Sequence, residues 1–282
     1  MASLLLGLAV WGFVIEPDRL VVHEVRLALP RWPMELAGLR IAVLADIHAG
    51  APHIGLDKIE QIAATVDQAR PDIVILLGDY VVGFRSTGFG HTIPPEDTAR
   101  VLASLRAPLG VFAILGNHDW WFDGERVRRA FRTAGIVVLE NEAVSVTRDG
   151  QALWLAGLAD LWTRRPDVIG ALRGVPDGAP AIVLTHSPDV FPDVPARVAL
   201  TLAGHTHGGQ LRLPLIGRPV VPSRYGQRYA AGHVVEDGRH LFVTTGIGTS
   251  IIPIRIGVPP EIAVLTIAGA DVTARSARAG FR

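Results

Sequence analysis

The sequence predicts an α/β fold, one domain built from two packed mixed β-sheets flanked by helices. Three observations support this. In the first half, apolar runs of strand length alternate with amphipathic stretches of helical length, as expected of βαβ units with a mostly parallel sheet. In the second half, short apolar runs succeed one another with thin helical pattern between them. Of 282 residues, 49% are hydrophobic and 19% charged, which supplies a sizeable core and excludes a disordered chain.

The elements are read in order from the N-terminus. Ala2 to Ile15 carries no charged side chain, and Glu16 is the first ionisable one. This run falls short of the roughly 20 residues that span a bilayer. It lacks a basic flank and an evident A-x-A-type cleavage site. Four readings stay open: a short membrane anchor, an interfacial segment, an uncleaved or atypical export signal, and a buried first helix. Trp11 and Phe13 would suit the headgroup level of a membrane. Pro17, Pro30 and Pro33 then punctuate a linker. The division expected is therefore a hydrophobic segment and linker over 1–38, a main domain over 39–270 and a tail over 271–282.

Leu39 to Ala45 reads as a buried strand, Leu56 to Arg70 as an amphipathic helix stopped by Pro71, and Ile73 to Leu77 as a second strand. Glu96 to Leu105 reads as a helix, Val111 to Leu115 as a third strand, and Gly124 to Ala134 as a basic helix closed by Gly135. Further strands are expected at Ala143 to Val146, Ala152 to Ala156, Ala181 to Leu184, Val198 to Leu202, His240 to Thr244 and Ile262 to Ile267.

Polar residues cluster just after these strands. Asp46 and His48 follow the first, Asp79 the second, and Asn117 and His118 the third. His186 follows Ala181 to Leu184, and His205 and His207 follow Val198 to Leu202. Ligands collect outside the carboxyl ends of strands in open α/β sheets. In extended chain, residues i and i+2 share a side, so Asp46 and His48 could reach one metal. Alone, this pair is more often a surface Asp beside a His. Asp79 ends a very apolar strand, where an unpaired charge is costly, although a turn or helix cap would also explain it. In Gly116-Asn117-His118-Asp119, Asn117 offers a carbonyl oxygen, His118 a proton or hydrogen bond to an ester oxygen, and Asp119 could orient the His118 ring. Gly204-His205-Thr206-His207-Gly208-Gly209 places two imidazoles between glycines that allow close backbone approach. His186 gains weight only beside the others.

Imidazole, carboxylate and amide oxygen together suit Mn, Fe or Zn and not Ca or Cu(I). Seven candidate ligands are too many for one four-coordinate zinc and suit two ions sharing a carboxylate. Such a pair clamps a phosphoryl group for in-line displacement and acidifies a bound water to a pKa of about 7. The 27 basic and 27 acidic residues cancel, so no global field favours nucleic acid. Cysteine is absent, which removes thiolate ligands and Cys nucleophiles. No H-E-x-x-H helix or H-x-H-x-D-H run is present.

The order D-x-H, G-D, G-N-H-D, H and G-H-T-H, from Asp46 to His207, resembles the calcineurin-like metallophosphoesterase superfamily. The resemblance implies a four-layer α/β/β/α sandwich. It further implies that Asp46, His48 and His207 hold one metal, that Asn117, His186 and His205 hold the other, and that Asp79 bridges them. His118, with Asp119 behind it, would be catalytic. Ile15-Glu16-Pro17, Gly208-Gly209-Gln210, Gly246-Ile247-Gly248-Thr249-Ser250 and Pro259-Pro260-Glu261-Ile262 make the chain similar to bacterial membrane-associated phosphodiesterases. That likeness implies a location at the inner membrane of a bacterium, contact with the membrane surface through the N-terminal segment, and a substrate that is lipid-linked or nucleotide-like. Phe84, Phe89, Trp120, Trp121, Phe122 and Trp162 follow expected strands and would suit an acyl chain, or simply roof the sheet; Arg85, Arg164 and Arg165 could meet phosphates. The function expected is a phosphodiesterase or pyrophosphatase working through a dinuclear metal-bound hydroxide. A phosphomonoesterase or protein phosphatase, and a non-catalytic scaffold binding a lipid or partner, are the rivals.

Overall fold

Apolar runs buried on both faces form the inner strands of two sheets, and half-exposed strands form their edges. In the computed structural model, residues 2–82 and 90–269 are described; Phe84, Arg85, Phe89 and the 271–282 tail lie outside them. The first sheet has the order β1-β12-β2-β3-β4-β5, with β1 at Val21–Leu29, β2 at Leu39–Leu44, β3 at Ile73–Leu76, β4 at Val111–Ala113, β5 at Val137–Val138 and β12 at Glu261–Gly269. Its pairs are parallel except β12 with β2. The second sheet has the order β10-β11-β9-β8-β7-β6, with β6 at Glu142–Arg148, β7 at Gln151–Gly157, β8 at Ala181–Leu184, β9 at Leu200–Ala203, β10 at Gly232–Glu236 and β11 at Arg239–Val243. Here the outer pairs β10 with β11 and β6 with β7 are antiparallel, and the inner ones parallel.

Side chains alternate between two cores, as the strand period requires. Ile41, Val43, Ile73 and Ile75 meet Leu155, Ile182, Leu184 and Leu202 between the sheets. Ala42, Leu44, Val74 and Leu76 face outward, where α3 (Leu56–Gln68), α4 (Pro95–Leu102) and α5 (Asn117–Thr133) cover them. Ile59, Ile62 and Val66 of α3 form its buried stripe at helical spacing. A short α6 (Val168–Ala171) packs on the far side of the second sheet. Two mixed sheets with helices outside are thus what the sequence predicted.

Three local readings change. The stretch read as linker contains β1, whose nine residues pair with β12 throughout. Strands β5 and β10 were not foreseen. The expected helix Gly124 to Ala134 is the second half of α5, which breaks at Asp123 (φ −174°, ψ 86°). There the Asp123 carboxylate accepts from the Arg126 amide at 3.0 Å and starts the helix again.

The N-terminal segment requires a larger correction. It winds as α1 (Ala2–Val10), a π-helical stretch (Trp11–Ile15) and α2 (Glu16–Asp18). No residue of α1 is buried, whereas Gly12, Glu16 and Pro17 pack against the protein. Nine residues of α-helix rise only about 14 Å, half of a hydrocarbon core. Among the described residues no helix is long and apolar enough to cross a membrane. That finding overturns the inner-membrane location expected from the sequence.

Candidate metal centre

The eight residues singled out from the sequence come from both sheets and meet at one edge. Asp46 and His48 follow β2, Asp79 follows β3, and Asn117 and His118 open α5 directly after β4. From the other sheet, His186 follows β8, and His205 and His207 follow β9. All are buried except His118, which is half-buried.

The backbone at these corners is left-handed rather than extended. Asp46, His48, Asp79, His205 and His207 have φ of 55°, 49°, 57°, 69° and 49°. Non-glycine residues rarely adopt this conformation, and each costs about 1–3 kcal/mol unless its surroundings enforce it. Hydrogen bonds supply that enforcement: the Asp46 amide donates to Gly78 O (3.0 Å) and the His48 amide to Asp79 O (2.9 Å). Asp46 and His48 therefore come together through two left-handed residues, not through the strand alternation the sequence suggested. Two glycines permit the approach. A Cβ at Gly116 would lie 2.2 Å from Asp79 Oδ1, and one at Gly204 2.9 Å from Asp46 Oδ2.

Three groups result whose side-chain atoms converge closely enough to hold a metal ion: Asp46, His48 and His207; His48, Asp79 and His118; and Asp79, His186 and His205. His186 shows what the centre demands. Its Nδ1 lies 2.7 Å from the Leu77 carbonyl, which can only accept, so Nδ1 carries a hydrogen and, in the neutral ring, Nε2 a lone pair. That lone pair faces Asn117 Oδ1 (3.1 Å), Asp79 Oδ2 (3.2 Å) and His205 Nδ1 (3.1 Å). His207 repeats the pattern, with Nδ1 toward Gly248 O (3.3 Å) and Nε2 toward His48 Nε2 (3.1 Å) and Asp46 Oδ1 (3.6 Å). Acceptors aimed at acceptors in a buried site call for a cation, and the donor types fit a divalent metal. The outward ring nitrogens resting on carbonyls are the supports that metal-bound imidazoles normally have.

The protonation equilibria reflect the same demand. Burial opposes charge on His186, but the carboxylates of Asp79, Asp46 and Asp160 outweigh it and raise its pKa to about 10, so that without a metal a proton on Nε2 takes the place of the cation. Burial, reinforced by neighbouring imidazoles, lowers His48 and His205 to about 3. Burial raises Asp46 to about 7 against the pull of His186. For Asp79 burial again raises, yet His186, His118 and His48 together hold it well below the carboxylate range.

Asp119 takes a different part from the one expected. Its Oδ2 accepts from the amides of Asp79 (2.8 Å) and Gly116 (2.9 Å), and its Oδ1 from that of Tyr80 (2.8 Å). It braces the corner that carries Asp79 rather than orienting the His118 ring. Tyr80, unmarked in the sequence reading, locks the same corner: its hydroxyl lies 2.7 Å from Ile114 O and accepts from the Gly78 amide at 3.2 Å.

Aromatic and apolar residues line the rim. Trp121 packs on His118 and Trp162 on His205, with ring centroids 4.9 and 4.8 Å apart, and both indoles are partly exposed. On another side, Ala51, Pro52, Val82, Ile251, Ile252 and Pro253 form a notch that reaches His48 and His118. Arg164 is not directed at this rim. It stacks 3.7 Å over the Trp120 ring and reaches Glu125 and Glu140.

Comparison with known proteins adds an independent line. Residues 39–209 match the family described as Calcineurin-like phosphoesterase. The chain is 34% identical to the Escherichia coli protein named Phosphodiesterase YaeI, over 82% of this chain and 83% of that one. It is 31% identical to an uncharacterized metallophosphoesterase of Bacillus subtilis, YkuE, over 90% and 87% respectively. It is 26% identical to a Chlamydia trachomatis protein named UDP-2,3-diacylglucosamine pyrophosphatase LpxG, over 91% and 92%.

Proposed function

This chain belongs to the calcineurin-like phosphoesterase family and is a phosphoric ester hydrolase, and from that premise we propose that it cleaves phosphodiester or pyrophosphate bonds with two divalent ions. The observation that carries the reading is the buried set of acceptor atoms turned toward one another around His186 and His207. Asp46, His48 and His207 would hold one ion; Asn117, His186 and His205 the other; Asp79, which lies within reach of both His48 and His186, would be shared. Mn, Fe or Zn each suits this donor set.

Bound there, the ions would neutralise the charge that builds on the phosphoryl oxygens and acidify water. The chain supplies the rest. His118 stands at the open side of the centre, its backbone amide anchored on Asp79 Oδ1 at 2.8 Å. Burial lowers its pKa, so it works near neutral pH as an uncharged imidazole that donates a hydrogen bond to the leaving oxygen. Asp119 and Tyr80 keep Asp79 in register. Trp121, Trp162 and the Ile251–Ile252 notch would receive the non-phosphate part of the substrate, which we assign to a lipid-linked or nucleotide-type group. An aromatic rim and an apolar notch support that assignment, as does the acyl-bearing nucleotide in the name of the chlamydial relative.

The test joins metal analysis of purified protein to a panel of aryl phosphodiester, aryl phosphomonoester, nucleotide and nucleoside-diphosphate-lipid substrates. Two ions per chain and faster turnover of the diester or pyrophosphate are expected. Asp79→Ala should lower turnover by orders of magnitude; unchanged turnover ends the proposal, and a faster monoester reaction reassigns the activity to a phosphomonoesterase. Trp162→Ala should raise KM for the lipid-bearing substrate and leave the small aryl diester nearly unaffected.

A further inference from the structure

Arg255 heads the fully buried side chains in size and belongs to none of the residues discussed so far. It lies between β11 and β12, and all of its strong contacts are backbone carbonyls. Nη2 donates to Gly248 O (2.6 Å), Thr245 O (3.0 Å) and Gly246 O (3.2 Å), Nε to Gly248 O (3.2 Å), and Nη1 to Val258 O (3.0 Å). A guanidinium removed from water at this cost marks a loop whose position matters.

That loop presses on one half of the metal centre. The Gly248 amide donates to Asp46 O at 2.6 Å and the Ile247 amide to Ala45 O at 3.1 Å. Contact is so close that a Cβ at Gly246 would sit 2.7 Å from Asp46 Oδ2, and one at Gly248 3.0 Å from His48 Cβ. Gly248 O, which takes the shortest bond from Arg255, also lies 3.3 Å from His207 Nδ1 and offers an acceptor to the tautomer that leaves Nε2 to a metal. Arg255 Nη2 itself lies 3.5 Å from that Nδ1. Three candidate ligands are therefore braced through one side chain. The other half has a different support, the Leu77 carbonyl beneath His186.

From the N-terminal side, Gly12 O accepts the Arg255 amide (2.9 Å) and Glu16 Oε1 accepts the Val258 amide (2.9 Å). Glu16 thus holds the amide of the residue whose carbonyl Arg255 holds.

We propose that Arg255 is a positioning residue for the Asp46, His48 and His207 half of the centre, secured from behind by Glu16. The proposal rests on the two-ion reading, and it is tested with metal alone. Metal-free wild type, Arg255→Lys and Arg255→Met are titrated with Co2+, following ions bound per chain and the visible spectrum, with circular dichroism as the check on folding. Wild type should bind two ions. Arg255→Lys keeps the charge and loses the fork, so it should retain one tight site and weaken the other by about ten- to a hundredfold. Its residual spectrum should match that of His207→Ala and differ from that of His205→Ala. Glu16→Gln should weaken the same site to a smaller degree. Wild-type affinity at both sites in a folded Arg255→Lys protein, or equal loss from both, overturns the proposal. So does failure of Arg255→Lys to fold, which would make the residue a general brace; Arg255→Met alone failing to fold leaves Arg255→Lys to decide. A wild type that takes up no Co2+ ends the two-ion reading as well, a result distinct from any of these.

Discussion

Tyr80 shows how much of the centre depends on side chains that could never touch a phosphate. Its hydroxyl lies against the Ile114 and Leu76 carbonyls and accepts the Gly78 amide, just where the chain turns to present Asp79. Tyr80→Phe strands those buried groups, at about 1–3 kcal/mol, and should lower the urea midpoint while leaving turnover per folded molecule within a few-fold. Asp119→Ala strands the amides of Gly116, Asp79 and Tyr80 together. It should therefore lose more stability than Tyr80→Phe in the same titration, and activity with it. The converging residues were legible because a charge or imidazole directly after an apolar strand has no core to join and needs a reason to be there. Tyr80, Arg255 and the bracing part of Asp119 were not. Their partners are backbone groups, which every residue possesses, and nothing in the side-chain pattern marks which carbonyl will fall beneath a distant hydroxyl or guanidinium.

Among elements, the N-terminal segment divides into parts of unequal weight. α1 buries nothing, whereas the stretch from Trp11 to Asp18 contributes Gly12, Glu16 and Pro17 to the interior. Removing residues 2–10 should leave the melting temperature nearly unchanged. Removing residues 2–18 should lower it by several degrees, since each kcal/mol is worth about 2–4 °C in a chain of this size; equal melting of the two truncated proteins would contradict this division. Strands buried on both faces were easy to read, because β2, β3, β8 and β9 are nearly continuous aliphatic runs. β1 was passed over although Val25, Leu27 and Leu29 recur at every second position, with Arg26 and Ala28 exposed between them. Its flanking prolines resembled a linker, and an edge strand advertises itself with half as many buried positions. The left-handed corners were invisible for another reason: they are imposed by hydrogen bonds between segments, and Asp or His has no local preference strong enough to announce them.

At the scale of the molecule, the centre draws its residues from both layers, β2, β3 and β4 from one sheet and β8 and β9 from the other. Bound ions would then fasten the two sheets at one edge, and ligands that bind only the folded state add stability by mass action, about 2.7 kcal/mol at a hundredfold excess over Kd. Stripping the protein with a chelator should abolish hydrolysis, lower the melting temperature and speed amide exchange at the ends of β2 and β9, with all three restored by Mn2+ or Zn2+. The order of strands carries a separate consequence for biogenesis. β12 lies between β1 and β2, so the slot beside residues 39–44 stays open until residues 261–269 have been synthesised. A nascent chain can assemble helices and neighbouring hairpins as it emerges, but its first layer has to wait until residues 261–269 have left the ribosome. A ribosome stalled before codon 261 should hold a collapsed, protease-sensitive intermediate, and a catalyst exists only once that strand has entered its slot.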